Sequence, residues 1–111
     1  MQKFPRRWDK ITCINYLQRK IILNCIAYYE LNTNKLSDKT YDELSHQLVE
    51  LQKGIDISAT QYGYVFYDFD GSTGFDLYHR LNEYDKKYLY NIACHVCGGQ
   101  TKKVNKKGGL F

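Results

Sequence analysis

Apolar positions recur at helical spacing through most of the first half of the chain. Ile14, Leu17, Ile21, Cys25 and Tyr28 stand three or four residues apart, which predicts a helix running to about Leu31. Asp9 or Thr12 can cap its start. Ile11, Ile22, Ile26 and Tyr29 widen the stripe, so this helix should pack against two neighbours. Asn32-Thr33-Asn34 then interrupts the pattern with turn residues. A second helix is predicted from Asp38, a good cap, to about Lys53. Its core face is Tyr41, Leu44, Leu48 and Leu51, and Gly54 ends it. Two such helices joined by a short turn should form an antiparallel hairpin.

The pattern changes after Gly54. From Ile55 to Asp70 the residues are rich in Ile, Val, Phe and Tyr, a composition that predicts a short strand or a β-hairpin. Asp70-Gly71-Ser72-Thr73-Gly74 reads as a turn. Phe75, Leu77, Tyr78 and Leu81 predict a short helix. A last helix is expected with Asp85 as cap and Tyr88, Leu89, Ile92 and Val96 facing inward. The predicted fold is mainly α with an α+β element: an N-terminal antiparallel helical hairpin, a short strand or β-hairpin, two C-terminal helices and a mobile tail. It is one domain: a basic arm at 1–10, the hairpin at 11–54, a Tyr-rich half at 55–99 ending in a Cys-x-x-Cys knuckle, and a basic tail at 100–111.

Composition narrows the function classes. At 111 residues the chain is one domain's worth, with a core but little surplus for a deep enzyme cleft. A formal net charge of +4 argues against an acidic mimic of DNA. It favours weak, salt-sensitive contact with nucleic acid or an acidic protein face. The 11 Tyr suit either an interface or a core with wet edges. No run reaches the ~18 apolar residues of a membrane span, and no apolar stretch follows Met1-Gln2-Lys3-Phe4-Pro5-Arg6-Arg7, so no secretory leader is expected. The expected compartment is the cytoplasm, that of the host cell if a phage encodes the chain. Four Cys there should be thiols or metal ligands.

Residues Leu23 to Gln52 carry a more specific signal. A Tyr-Tyr pair, Tyr28 and Tyr29, precedes a short turn, and Leu36, Asp38, Tyr41 and Asp42 follow as Leu-x-Asp-x-x-Tyr-Asp. This segment resembles the N-terminal nicotinamide-mononucleotide-binding (Ia) segment of NAD-dependent bacterial DNA ligases. That family has a Tyr-(His/Tyr) pair, a turn, and Ile-x-Asp-x-x-Tyr-Asp opening the second helix. The resemblance implies a helical hairpin and ligand-binding roles for Tyr28, Tyr29, Asp38, Tyr41 and Asp42. Asp38, Tyr41 and Asp42 share a helix face at i, i+3 and i+4. Carboxylates there can accept hydrogen bonds from ribose hydroxyls, and a Tyr ring can stack on a cationic pyridinium. The same residues also suit a plain hairpin: Asp38 as cap, Tyr41 in the core, and Asp42 in a first turn. Two departures stand out. Asn32 and Asn34 occupy a turn where the family has Asp and Pro, and the 111 residues contain no Lys-x-Asp-Gly nucleophile motif. Strand joining is therefore not expected.

Cys94-His95-Val96-Cys97-Gly98-Gly99 looks like half of a zinc knuckle, whose two thiolates converge on one ion. Cys13 and Cys25 lie on one predicted helix, about 18 Å apart at ~1.5 Å rise per residue, and cannot share that ion. Cys25 sits on the apolar stripe and reads as a small buried hydrophobe. Cys13 could join Cys94 and Cys97, with His79 as the fourth ligand; His46 and His95 are weaker candidates. Zinc there would be structural. The alternative is a plain thiol pair at a helix end. Lys102, Lys103, Lys106 and Lys107 could track a phosphate backbone or an acidic partner, while Arg6-Arg7, Arg19-Lys20 and Lys86-Lys87 read as ordinary solvated charge.

These features imply a non-catalytic binding protein. The ligase-like hairpin without a nucleophile motif resembles small stand-alone ligase-related prophage proteins. Such short proteins suggest an inhibitor of a host defence nuclease, of the anti-CRISPR kind, that blocks DNA loading or cleavage by a type II effector. The alternatives are a module binding nicotinamide mononucleotide or NAD, and a small nucleic-acid-binding accessory protein.

Overall fold

The computed structural model describes residues 2–33, 36–71, 74 and 76–96. Among them the fold is mainly α. Helix α1 spans Lys10–Cys25 and continues as a π-helical turn, Ile26–Glu30. Helix α2 spans Asp38–Gln52. A 3-10 turn at Ile57–Ala59 and two short helices, α3 at Gly63–Phe66 and α4 at Leu77–Arg80, lead to α5 at Glu83–Val96.

Helix α1 starts where its capping side chain dictates: Asp9 Oδ1 accepts the Thr12 N–H at 2.8 Å. Its Ile14, Leu17, Ile21, Ile22 and Ile26 are all fully buried, spread too widely around the cylinder for one neighbour to cover. Helix α2 covers one side with Leu44 and Leu48. Tyr62, Val65 and Phe66, then Leu77, Leu81, Leu89 and Ala93, cover the rest. The α1–α2 pair is antiparallel, as expected. Lys10 reaches the Lys53 carbonyl, Gln18 meets Gln52, and Cys25 lies beside Tyr41.

Burying α1 this thoroughly traps one polar side chain. Gln18 is fully buried. Its Nε2 donates to Gln52 Oε1 at 3.1 Å and to Thr60 Oγ1 at 3.0 Å, and its Oε1 accepts the Tyr62 N–H at 3.0 Å. Both N–H groups and the oxygen of the amide are thus hydrogen-bonded, and they tie α1 to α2 and to the turn before α3.

The expected strand or β-hairpin between Ile55 and Asp70 does not form; no strand occurs among the described residues. Asp56 Oδ1 accepts the Ser58 N–H at 3.0 Å and its hydroxyl at 2.6 Å, and the Thr60 hydroxyl donates to the Ile57 carbonyl. These local bonds curl the chain into turns. Tyr62, Val65 and Phe66 are buried at i, i+3 and i+4, a helical spacing in strand-like composition. Three other boundaries shift. Ser37, not Asp38, caps α2, accepting the Thr40 N–H at 3.1 Å. Asn82, not Asp85, caps α5, accepting the Asp85 N–H at 2.7 Å. Helix α5 buries Leu89, Ala93 and Cys94 and leaves Tyr88 and Val96 exposed, because its inward stripe runs i, i+4 from Leu89.

The described part of the aromatic arm, residues 2–10, is docked. Phe4 and Trp8 stack on each other and against Tyr16, while Gln47 exchanges two 2.9 Å hydrogen bonds with the Gln2 backbone. Phe75 and the expected tail at 100–111 lie outside the described residues.

Gln18→Met keeps the volume but orphans the Tyr62 N–H and the Thr60 and Gln52 acceptors. It should lower unfolding free energy by about 1–3 kcal/mol. Urea denaturation measures this, and an unchanged midpoint would show that the buried amide is not a structural tie.

Candidate functional site

The end of α1 builds the most distinctive geometry in the chain. At Ile26 the helix switches from i→i+4 to i→i+5 bonding, and the Leu31 N–H reaches the Ile26 carbonyl at 3.0 Å. The Thr33 N–H then bonds the Ala27 carbonyl at 2.8 Å, around Asn32 at φ 54°. Asparagine tolerates that left-handed conformation better than most side-chain-bearing residues do. The extra residue in the turn rotates Tyr28 and Tyr29 off the buried stripe. Both are exposed, at 51% and 41%, although the sequence pattern placed them on the core face. Their rings meet edge to face at 4.8 Å.

These two tyrosines line a pocket of about 200 Å³ together with Asn24, Cys25, Leu36, Asp38, Tyr41 and Gly74. Four of the five residues assigned to ligand binding by resemblance, Tyr28, Tyr29, Asp38 and Tyr41, are therefore brought together. The fifth, Asp42, is exposed on α2 and is not part of the lining. Asn24, Cys25 and Gly74 were not anticipated. Asn24 and Cys25 could have been found by stepping back one turn from Tyr28 and Tyr29 along the helix. Gly74 could not, because it arrives from a distant loop. A Cβ there would stand 2.5 Å from Cys25 Sγ and 2.6 Å from the Tyr41 hydroxyl oxygen, so only glycine lets this segment close the pocket wall.

The pocket floor is neutral. Cys25 is 3% exposed, and burial pushes its thiol up to about 11. The Tyr41 hydroxyl lies 3.9 Å away and is also raised, by burial first and by the neighbouring Cys25 second. Burial thus favours the neutral form of both groups. Asp38, exposed in the first turn of α2, is the one carboxylate among the described lining residues. The arrangement combines flat aromatic faces, one negative charge at the rim and an uncharged interior.

The candidate metal ligands do not converge among the described residues, where no group of three His, Cys, Asp or Glu side chains could hold an ion. Cys13 is buried near the start of α1, and burial followed by the Asp9 charge raises its thiol. Cys94 is buried in the last turn of α5, where it influences Tyr78 and Tyr90. Glu30, beyond the far end of α1, acts on the same two tyrosines, so Cys13 and Cys94 belong to opposite ends of the molecule. The His79 Nε2 faces Glu30 Oε2 at 3.7 Å. His46 and His95 are exposed on α2 and α5. Cys97 and Lys102, Lys103, Lys106 and Lys107 lie outside the described residues. The described residues do not fit a zinc site. Of the basic pairs, Lys20 and Lys86 lie over the rings of Tyr16 and Tyr78. Arg6, Arg7, Arg19 and Lys87 are exposed.

No helix among the described residues is long and apolar enough to cross a membrane. No protein-family model, curated protein or solved structure matches the chain.

The Cys25 thiol ties the pocket to alkaline stability. The folded chain holds this proton to higher pH than the unfolded chain, whose thiol titrates near 9.0. Its contribution is complete below that pH and lost as pH rises through about 11. In Cys25→Ala, unfolding free energy should fall less steeply than wild type between pH 9 and 11; parallel curves would mean the thiol is not held neutral.

Proposed function

We propose that the chain is a non-catalytic binding module whose pocket receives the nicotinamide-ribose end of nicotinamide mononucleotide or NAD. The observation that carries this reading is the convergence of Tyr28, Tyr29, Asp38 and Tyr41 on one pocket, the same residues that match the ligase signature. A cavity of roughly 150 Å³ holds a benzene-sized ring, so about 200 Å³ suits one six-membered ring with a small substituent. The sugar and phosphate would lie over the rim. A pyridinium ring there meets tyrosine faces and the Asp38 carboxylate, the chemistry that favours a flat cation. The neutral thiol and phenol of the floor leave nothing to drive group transfer, which supports binding without turnover.

Nicotinamide mononucleotide at a hundred times its Kd should stabilise the fold by about 2.7 kcal/mol, seen as a rise in Tm. Tyr28→Ala and Asp38→Asn should each weaken binding at least about tenfold, by removing a ring face or the counter-charge. The reading is lost if neither this nucleotide nor NAD shifts the Tm at millimolar concentration.

A second reading is favoured by a different surface. Tyr84 and Tyr88, 75% and 43% exposed, stack in near-parallel planes along one side of α5, with centroids 6.3 Å apart. The Tyr64 hydroxyl donates to Asp85 beside them. Exposed, preordered tyrosines are the anchors protein interfaces use. This supports a phage-encoded inhibitor that occupies a host defence nuclease, such as a type II CRISPR effector, with basic residues steering the encounter. A sizing column of the protein mixed with guide-loaded nuclease should show a complex. Tyr84→Ala with Tyr88→Ala should disrupt that complex through faster dissociation. No co-elution with nucleases from plausible hosts removes this reading and leaves the first standing.

A further inference from the structure

Asn24 is the odd side chain of the pocket. Its Oδ1 is sealed from water and has no hydrogen-bond partner, yet the residue lines the pocket wall one turn before Tyr28. Six residues earlier on the same helix, Gln18 shows what α1 does with an amide it needs for folding: three hydrogen bonds satisfy it. An amide left unsatisfied at a cavity is a cost to the folded chain that an apolar residue would avoid. Asn24, a half-buried residue, thus places an amide with an unbonded oxygen at the pocket wall.

Resting on the proposed nicotinamide reading, we infer that Asn24 reads the ligand's carboxamide and selects it against the corresponding carboxylic acid. A primary amide carries a donor and an acceptor side by side, and rotation about the Cβ–Cγ bond exchanges which of them faces the pocket. Another amide is the group that satisfies both at once. A ring carboxylate is an acceptor only, so it leaves Oδ1 as unsatisfied as before. Asp38, in the same lining, acts in the same direction, because its carboxylate repels a second one. The two residues thus discriminate by matching and by repulsion, and nicotinamide and nicotinate differ at the position both govern.

The test is calorimetric titration of the full chain with nicotinamide mononucleotide and with nicotinic acid mononucleotide. Wild type should bind the amide at least about tenfold tighter, since losing the amide leaves a buried polar group unpaired. Asn24→Leu should bind the amide nucleotide more weakly, with most of the preference gone. Its unliganded Tm should be equal to wild type or higher, because an unsatisfied amide has been replaced by apolar surface. A merely structural Asn24 would instead lower that Tm. Asn24→Asp should disfavour both nucleotides, the acid more. Equal affinities in wild type, unchanged in Asn24→Leu, would overturn the inference while leaving the pocket reading intact. Absence of binding by either nucleotide to wild type would overturn both.

Discussion

Burial of α1 on nearly every side is the constraint on which the remaining structure depends. A helix with Ile14, Leu17, Ile21, Ile22 and Ile26 all fully buried cannot be covered by a single partner. The chain must therefore wrap α2, the segment 57–66 and the α4–α5 unit around it. The same burial makes any polar residue on α1 costly unless it is fully bonded. Gln18 meets that condition by recruiting Gln52, Thr60 and Tyr62. Its amide fixes where the turn after α2 must pass, and so where Tyr62 and Phe66 enter the core. One buried amide sets the path of a segment whose composition alone favours a strand.

The end of α1 meets the opposite demand. Continued as a regular α-helix, it would carry Tyr28 and Tyr29 on the stripe that leads into the core. The π turn adds one residue's rotation, and Asn32 in the left-handed conformation closes it with a 7→1 bond from Thr33 to Ala27. The tyrosines emerge beside the start of α2, where Ser37 capping places Asp38 in the first turn and Tyr41 one turn later. Two caps and one wide turn, all local, position the aromatic and acidic wall. Only Gly74 comes from elsewhere, and its missing side chain is what brings its backbone against Cys25 and Tyr41.

Sequence reading succeeded where spacing alone decides. The α1–α2 hairpin, the turn at Asn32 and the termination at Gly54 (φ 77°) all follow from periodicity and turn residues. Reading failed where composition was allowed to outweigh spacing. The Ile, Val, Phe and Tyr content of 55–70 favours β structure, but Tyr62, Val65 and Phe66 repeat at helical intervals, and the Asp56–Ser58 bonds bend the chain before a strand can extend. The inward face of α5 was misplaced for a related reason. Tyr88 and Val96 look apolar enough to bury, whereas Leu89 and the small Ala93 are what join the core. The candidate pocket was legible in Tyr28, Tyr29, Asp38 and Tyr41 because they lie on two adjacent helices. Asp42 is exposed on α2 and lies outside that lining, because sharing a helix face with Asp38 does not bring a side chain over the same rim.

Helix α1 is capped by Asp9, carries a regular apolar stripe and hydrogen-bonds its buried amide, and α2 is capped by Ser37 and ended by glycine. Beside the pocket lie a π turn, a non-glycine residue at positive φ, two exposed tyrosines and an asparagine oxygen without a partner. Such irregularities also occur away from it: the Tyr62 hydroxyl is buried without a partner, and Tyr84 and Tyr88 are exposed on α5. What sets the pocket apart is that local irregularities and polar side chains share one cavity wall. Burial holds the Cys25 thiol and the Tyr41 phenol in their neutral forms. The polar contacts of the cavity are therefore concentrated in its wall, and its floor is uncharged because the same packing that buries α1 reaches to the end of that helix.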